Sequence, residues 1–446
     1  MRFQIKDNEI EKLSKVLLEF FDEDQIEQLG RQTKFIQRSR ELTAMPFAKL
    51  CIIGVFQEGL SASLGQLCSK LHDMDVDITP QALDLRFSES AVEFMQSLLD
   101  QSVSKLIYQQ LDPYLLTGFN GVYLQDSTSF MLPPSFKELY AGSGGVANEA
   151  GMKIDLTHEL QKGSSQIIIK SADTNDHGET PKEIIAGSLS LRDLGYFKLD
   201  DIEAIENAGG YYVSRLKSSV SIYKGPEKDA DRIYLEEYLN KLEENETMDL
   251  EVYLGATKRL KTRLIIQKIP EDVANEKRKN LKAQRNKKAK NISEKRLKLC
   301  GLNIYITDVN EDLLNALEVI KVYRIRWQIE IVFKVWKSIY KIDTVKEMKP
   351  ERMLCQLYGR LILILINTMI NMAAKTMYWR DYGVDISDFK AHKILRDVDH
   401  LQWMKELKKT AARLYYVLKK CFKKIWRFGK KSKRKGRVNY GMGVLT

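Results

Sequence analysis

The sequence predicts a mixed α/β fold, a sheet of short strands flanked by helices and bracketed by helical regions at both ends. Three observations predict it. From residue 1 to about 117 apolar residues recur at helical spacing with almost no β-branched alternation. Near residue 118 the texture changes to three short strands, and then to alternating helix and strand. A long helical pattern around residue 330 completes an element order that belongs to a mixed sheet. At 446 residues the chain has room for roughly two to four structural units.

The N-terminal region holds two short helical stretches, 60–71 and 81–87, around a turn. Thr79 suits a helix cap and Pro80 the first helical position. The pair fits a helix-turn-helix with Gln81 and Arg86 facing DNA, and it fits equally well two packed helices of no special role.

The strands that follow are read at 121–126, 152–158 and 165–170. A helix is expected at 181–186, a strand at 188–193, a helix at 199–207 and a fifth strand at 211–217. Residues 219–299 interrupt the order with candidate strands at 249–254 and 263–267 and a basic stretch from Lys277, before strand texture returns at 303–307. The segment reads as a β-rich subdomain inserted into the sheet domain. The expected division is therefore a helical DNA-binding region at 1–117, a catalytic sheet domain at 118–218 and 300–375, the insertion at 219–299, and a helical basic region at 376–446. The apolar stretch 353–374 is interrupted by Gln356, Arg360, Asn367 and Asn371, which is too polar for a membrane span and reads as a buried core helix.

Charge is concentrated. Residues 405–437 carry fifteen Lys or Arg against the single acid Glu406, and residues 277–298 carry eleven against Glu294, within an overall net charge of +11. One such segment is equally well a solvated helix face or a tail; two in one chain point to a polyanion, here nucleic acid. The five cysteines are scattered and odd in number, with no CxxC pair, which argues against a disulfide framework or zinc site and for a reducing cytoplasm. The first residues contain no apolar run of the kind a secretory signal needs.

The most informative stretch is Tyr323-x2-Arg326-x3-Glu330-x6-Lys337. On one helix these four positions fall within an arc of roughly 60°, and the opposite arc carries Ile325, Ile329, Val332, Trp336 and Ile339. A carboxylate with an arginine one turn before it and a lysine two turns after it suits a site holding metal ions and phosphate together. The same spacing describes an exposed helix with an ordinary Arg326–Glu330 ion pair. Two aspartates bear on the choice. Asp126 ends an apolar strand before Ser127-Thr128, and Asp193 ends another before Leu194-Gly195-Tyr196. Strand ends are where α/β sheets present ligand-binding groups, although a lone aspartate there is commonly a turn residue or a cap. With Glu330 they make a triad able to hold two divalent cations.

Taken together, the Tyr-Arg-Glu-Lys spacing, the two aspartate contexts and the segment inserted before the glutamate resemble the transposases of bacterial insertion sequences, type-four group. These are DDE enzymes with a ribonuclease-H-like catalytic fold. The resemblance covers roughly residues 60–375. It implies that Asp126, Asp193 and Glu330 are the catalytic carboxylates and hold two Mg²⁺ ions, with Mn²⁺ as the other hard cation such oxygens suit. It implies that Tyr323, Arg326 and Lys337 grip phosphates near the cut, where cationic donors relieve the charge of a phosphodiester displacement. Trp327 matches an aromatic that assists a flipped base in relatives that cut through a DNA hairpin, and packing on a neighbouring strand accounts for it as well. Those relatives carry a second tryptophan ahead of the motif. This chain has no Trp before Trp327, and the nearest aromatic ahead of the motif is Tyr305, so the hairpin route is not implied. Arg215 sits where relatives place an arginine near the active site, a position a plain surface arginine would also fill. His158 and the other histidines receive no role, because two-metal phosphoryl transfer needs no histidine base.

The resulting expectation is a DNA transposase that binds the inverted ends of its element, cleaves phosphodiester bonds and joins the 3′-hydroxyls to target DNA, as a homodimer on paired ends and with no membrane partner. The basic segments would grip DNA backbone, a sequence-tolerant contact. Two rivals share the residues: a DNA nuclease that never joins strands, and a non-catalytic DNA-binding regulator descended from a transposase.

Overall fold

The structure, a computed structural model, describes residues 7–38, 41–54, 60–105, 116–143, 149–160, 165–173, 184–192, 194, 197–288, 292–398 and 411–431. Helices α1 (Asp7–Phe20), α2 (Glu23–Gln32), α3 (Ala44–Lys49), α4 (Leu64–His72), α5 (Pro80–Arg86) and α6 (Glu89–Lys105) come first, with α3 running into a π-helical turn, Leu50–Gly54. Side-chain caps start several of them. Ser63 and Gln66 form a reciprocal capping box at α4. Thr79 accepts a hydrogen bond from the Ala82 amide at 3.2 Å, with Pro80 in the first turn of α5.

One expectation in this region fails. The Arg86 side chain turns inward: its guanidinium lies 4.5 Å from the Phe35 ring centroid and donates to the carbonyls of Phe35 and Leu42 at 3.4 and 3.5 Å. Stacking on an aromatic and binding carbonyls commits this charge to the helical core rather than to DNA. Gln81 is exposed.

The sheet is built from β1 (Val122–Met131), β2 (Gly151–Glu159), β3 (Ser165–Ser171), β4 (Leu189–Arg192), β5 (Tyr211–Arg215), β6 (Ile222–Tyr223), β7 (Arg232–Ile233), β8 (Thr247–Leu254), β9 (Leu260–Lys268) and β10 (Leu302–Thr307), in spatial order β3-β2-β1-β4-β5-β10-β9-β8-β6-β7. β1, β4 and β5 run parallel, and the other pairings are antiparallel. All four residues of β4 are buried, as befits a central parallel strand covered on both faces. Between them lie α7 (Leu199–Asn207), α8 (Tyr238–Lys241), α9 (Glu271–Lys288) and α10 (Glu294–Lys298).

One difference from the sequence reading stands out. The helix expected at 181–186 does not form over 184–187; residues 181–183 lie outside the described residues. Gly187, at φ +76°, exchanges backbone bonds with Asn120 and Gly209 instead, which ties this turn to the strand ends. The strands within 219–299 build no separate sheet: β9 pairs along β10, and β8 and β6 follow outward. Their apolar side chains, with those of α7, β5 and β10, form a second core that includes Ile202, Tyr212, Val252, Leu264 and Ile306.

The C-terminal third contains α11 (Ala316–Ile325), α12 (Trp327–Ser338), α13 (Pro350–Tyr382), α14 (Asp388–Arg396) and α15 (Ala411–Phe428). The 33-residue α13 starts on Pro350 and ends at Gly383, whose left-handed backbone (φ 61°) closes onto Trp379 and Tyr378. By length and composition α13 could cross a membrane, but most of its apolar stretch is buried inside the fold, as a core helix is. It packs against α6 and the π-helical turn. Gly359 makes that approach possible, because a Cβ there would lie 2.3 Å from the Cys51 carbonyl oxygen.

The polar breaks in α13 hold neighbouring elements. Arg360 donates to the Tyr340 carbonyl at 3.2 Å, and Asn367 donates to the Tyr340 hydroxyl at 2.9 Å. That hydroxyl therefore has its proton left for His392 Nδ1, also 2.9 Å away. Asn371 and Lys375 bind Asp388 in the first turn of α14. Burial pushes Arg360 down to about 10 and His392 down to about 4. All five cysteines are free.

Candidate active site

The candidate site is assembled on β1. β2 pairs with β1 over its whole length, from Tyr123↔Glu159 to Met131↔Gly151, whereas the parallel pairing with β4 stops at Gln125↔Arg192. Asp126 is therefore not at the end of its strand, as the sequence suggested, but the fifth of ten residues in it. It is the first residue of β1 beyond the parallel partner. Ladder and strand end at different places because the antiparallel neighbour carries the chain past the aspartate.

Asp193, with Gly195 and Tyr196, lies outside the described residues. Its chain neighbour Arg192 is buried, and the guanidinium pairs at 3.0 Å with Asp201 in the first turn of α7. This buried pair anchors the last residue of β4.

The Tyr-Arg-Glu-Lys motif does not lie on one helix. Tyr323 belongs to α11 and Glu330 and Lys337 to α12; Arg326 stands at the junction, its amide turning back onto the Tyr323 carbonyl at 3.1 Å. A capping box between Asn315 and Glu318 sets the start of α11. Nor is the polar face displayed to solvent along its length. Tyr323 and Arg326 are buried, with the Tyr323 ring centroid 5.0 Å from that of Tyr305 and 5.5 Å from the Arg326 guanidinium carbon. On the other face Trp336 and Ile339 are buried and Val332 is half-buried, as the spacing predicted. The side chains of Ile325, Trp327 and Ile329 lie outside what is described.

Arg326 joins the two described carboxylates. Nη2 lies 2.6 Å from Glu330 Oε1, and Nη1 lies 3.7 Å from Asp126 Oδ2. The i,i+4 ion pair is present, but the arginine is nearly buried and its other arm reaches the sheet. Eleven residues after Arg326, on α12, the same strand is met again: Lys337 Nζ donates to the Ser129 carbonyl at 2.7 Å. Burial lowers the Lys337 pKa, opposed by Asp343. The helix thus lies along β1 with a charged contact near each end.

The two carboxylates converge on one guanidinium, so their oxygens could also converge on a hard cation such as Mg²⁺ or Mn²⁺. Among the described residues no group of three metal-binding side chains occurs, which leaves Asp126 and Glu330 as the described part of the expected triad.

Arg215 lies on β5, two strands from β1 in the sheet. It ends β5 opposite Tyr305 and lines a cavity of about 420 Å³ shared with Lys277, Arg296, Cys300 and Leu194. Leu194 follows Asp193 directly, so the cavity adjoins the end of β4. Lys277 donates to Asn303 Oδ1 at 2.8 Å, and burial, with Arg215 close by, pushes it down to about 8. Sequence reasoning treated Lys277 only as the start of a basic run. Its helical spacing from Ala274 and Leu281, three residues before it and four after, was the available signal that this lysine faces inward. Neither the Ser129 carbonyl nor the Arg192–Asp201 pair had any signal, since both depend on register.

Comparison with known proteins agrees with the resemblance. The family model described as a transposase DDE domain matches residues 117–366. The transposase for insertion sequence element IS1151 of Clostridium perfringens is 36% identical over 451 residues, covering 95% of this chain and 93% of that protein. The transposase for IS231F of Bacillus thuringiensis subsp. israelensis is 30% identical over 450 residues, with 95% and 94% covered. That for IS231B of Bacillus thuringiensis subsp. berliner is 31% identical over 459 residues, with 97% and 96% covered.

Proposed function

Since the chain belongs to the DDE transposases of insertion sequences, we propose that it cuts the ends of its element and joins their 3′-hydroxyls to target DNA at a site formed by Asp126, Asp193 and Glu330. The observation that carries the site assignment is the arginine shared by Asp126 and Glu330. A surface ion pair would not bring a strand carboxylate and a helix carboxylate, more than two hundred residues apart in sequence, to one buried guanidinium.

The three carboxylates would hold divalent ions, two Mg²⁺ or Mn²⁺ on our reading. When bound, such ions activate the attacking oxygen and stabilise the leaving one. The side chains supply the rest. Arg326 orients both carboxylates and, with Lys337, offers positive charge where an in-line displacement at phosphorus accumulates negative charge. Tyr323, its ring centroid 5.5 Å from the Arg326 guanidinium carbon, packs beside that side chain. Arg215, Trp327 and Lys277 would contact the DNA strand leading to the cut. One cluster can serve both steps, because cleavage and joining are the same displacement with water and then a 3′-hydroxyl as nucleophile.

The strand order β3-β2-β1-β4-β5, with β1, β4 and β5 parallel, supports a ribonuclease-H-like reading of 118–218 and 300–375. On that reading 219–299 is an insertion that extends the sheet, 1–117 a DNA-binding region and 376–446 a basic C-terminal region. Paired ends call for a dimer, and free cysteines suit the bacterial cytoplasm.

The test pairs two assays in Mg²⁺: cleavage of a duplex that carries an uncut element end, and strand transfer with pre-cut ends and a target duplex. Joined product that disappears in Asp193→Asn, Asp126→Asn and Glu330→Gln supports the proposal. Cleavage without joining would make the chain a nuclease, and cleavage that survives Asp193→Asn would refute the site.

A further inference from the structure

α15 presents two opposed faces. Leu414, Leu418, Cys421, Phe422 and Ile425 are buried, and the helix packs against α1, α13 and α14. Arg413, Tyr416, Lys420, Lys423, Lys424 and Arg427 are all exposed. At helical spacing those six fall within an arc of roughly 100° on the side away from the packed stripe. The helix contains no Asp or Glu.

We infer that the outer face of α15 is a docking surface for the phosphate backbone of duplex DNA, bound without sequence preference. The inference rests on the transposase reading only in that a DNA-joining enzyme must hold DNA beyond its cut ends. Charge complementarity selects the occupant. Five cations from Arg413 to Arg427, fourteen helical rises apart, span about 21 Å, a length over which a DNA strand presents several phosphates. A second copy of the same face would set those cations against one another. The face carries no Asn, Gln, Ser or Thr, so its means of reading bases are few, and contacts to phosphate position a protein without specifying sequence. Tyr416, 65 % exposed amid the cations, adds a hydroxyl donor and a flat apolar surface.

The experiment uses the full chain and a 30-base-pair duplex that lacks the element's ends, with binding measured over a salt series. The triple variant Lys420→Gln, Lys423→Gln, Lys424→Gln should flatten the slope of log K against log salt by about 2.7, at about 0.9 per lost phosphate contact. The corresponding triple Lys→Arg variant should retain the wild-type slope. The substituted side chains are exposed, and an unchanged thermal midpoint verifies the fold. An unchanged slope and affinity in the Gln variant would overturn the inference. So would loss of self-association at an unchanged DNA slope, which would make the face an interface between copies. Strand transfer is read separately: a wild-type chain that binds this duplex steeply but joins no ends contradicts the functional reading and leaves the α15 assignment supported.

Discussion

The guanidinium of Arg326 stands between Asp126 and Glu330, 2.6 Å from the helix carboxylate and 3.7 Å from the strand carboxylate. An arginine so placed both fixes the two acids and competes with any cation for them. Arg326→Ala is therefore expected to separate metal binding from chemistry. Mn²⁺ affinity, measured by calorimetry, should hold or tighten, while cleavage of a labelled end falls by about 10²-fold or more, the scale for removing one preorganised charge donor. Metal affinity falling in step with cleavage would mark Arg326 as a scaffold alone.

Lys337 sits at the far end of the same helix, bound to the Ser129 carbonyl. Lys337→Ala should reduce cleavage more than it reduces binding of element ends, with both measured on one duplex. Equal losses would identify an ordinary anchoring contact.

Lys277 provides a test in the alkaline range. Its folded pKa is about 8 against an ordinary 10.5. Between these values the unfolded chain keeps a proton that the folded chain has released, so stability rises with pH across the window. The denaturation midpoint of the wild type relative to Lys277→Met should move in favour of the wild type from pH 7.5 to 10. A flat difference would mean that the amine is well hydrated.

The Tyr340 hydroxyl links Asn367 to His392. Tyr340→Phe leaves two buried polar groups without this partner and should cost about 2 kcal/mol in urea denaturation. His392 titrates at about 4 when folded against 6.5 ordinarily. Unfolded chains therefore bind a proton first as pH falls from 6.5 toward 4, and stability is lost over that interval. His392→Asn should remove most of this loss.

Much of the architecture was legible because its signals are local. Thr79-Pro80 announced the start of α5, and short apolar segments at 249–254 and 263–267 marked β8 and β9. The four motif residues were legible as a group, since helical spacing brings them together even across the break at Arg326. What the sequence did not disclose depends on partners remote in the chain. Asp126 looked like a strand end because Ser127, Thr128 and Ser129 look like a turn; only pairing with β2 extends β1 to Met131. Arg86 looked like a solvent-facing charge on a short helix, and nothing local foretells that Phe35 lies under it. The burial of Tyr323 likewise follows from Tyr305 on β10.

The close seating of α13 against α6 and the π-helical turn also limits how the chain can be divided. The DDE match begins at residue 117, which invites cutting there to obtain a minimal enzyme. Such a cut would remove the residues that cover one side of α13 and leave its Leu- and Ile-rich surface facing water, a patch of the size that drives aggregation. The N-terminal helices are in this sense part of the support of α13, and truncation would be felt first as insolubility, ahead of any change in DNA recognition.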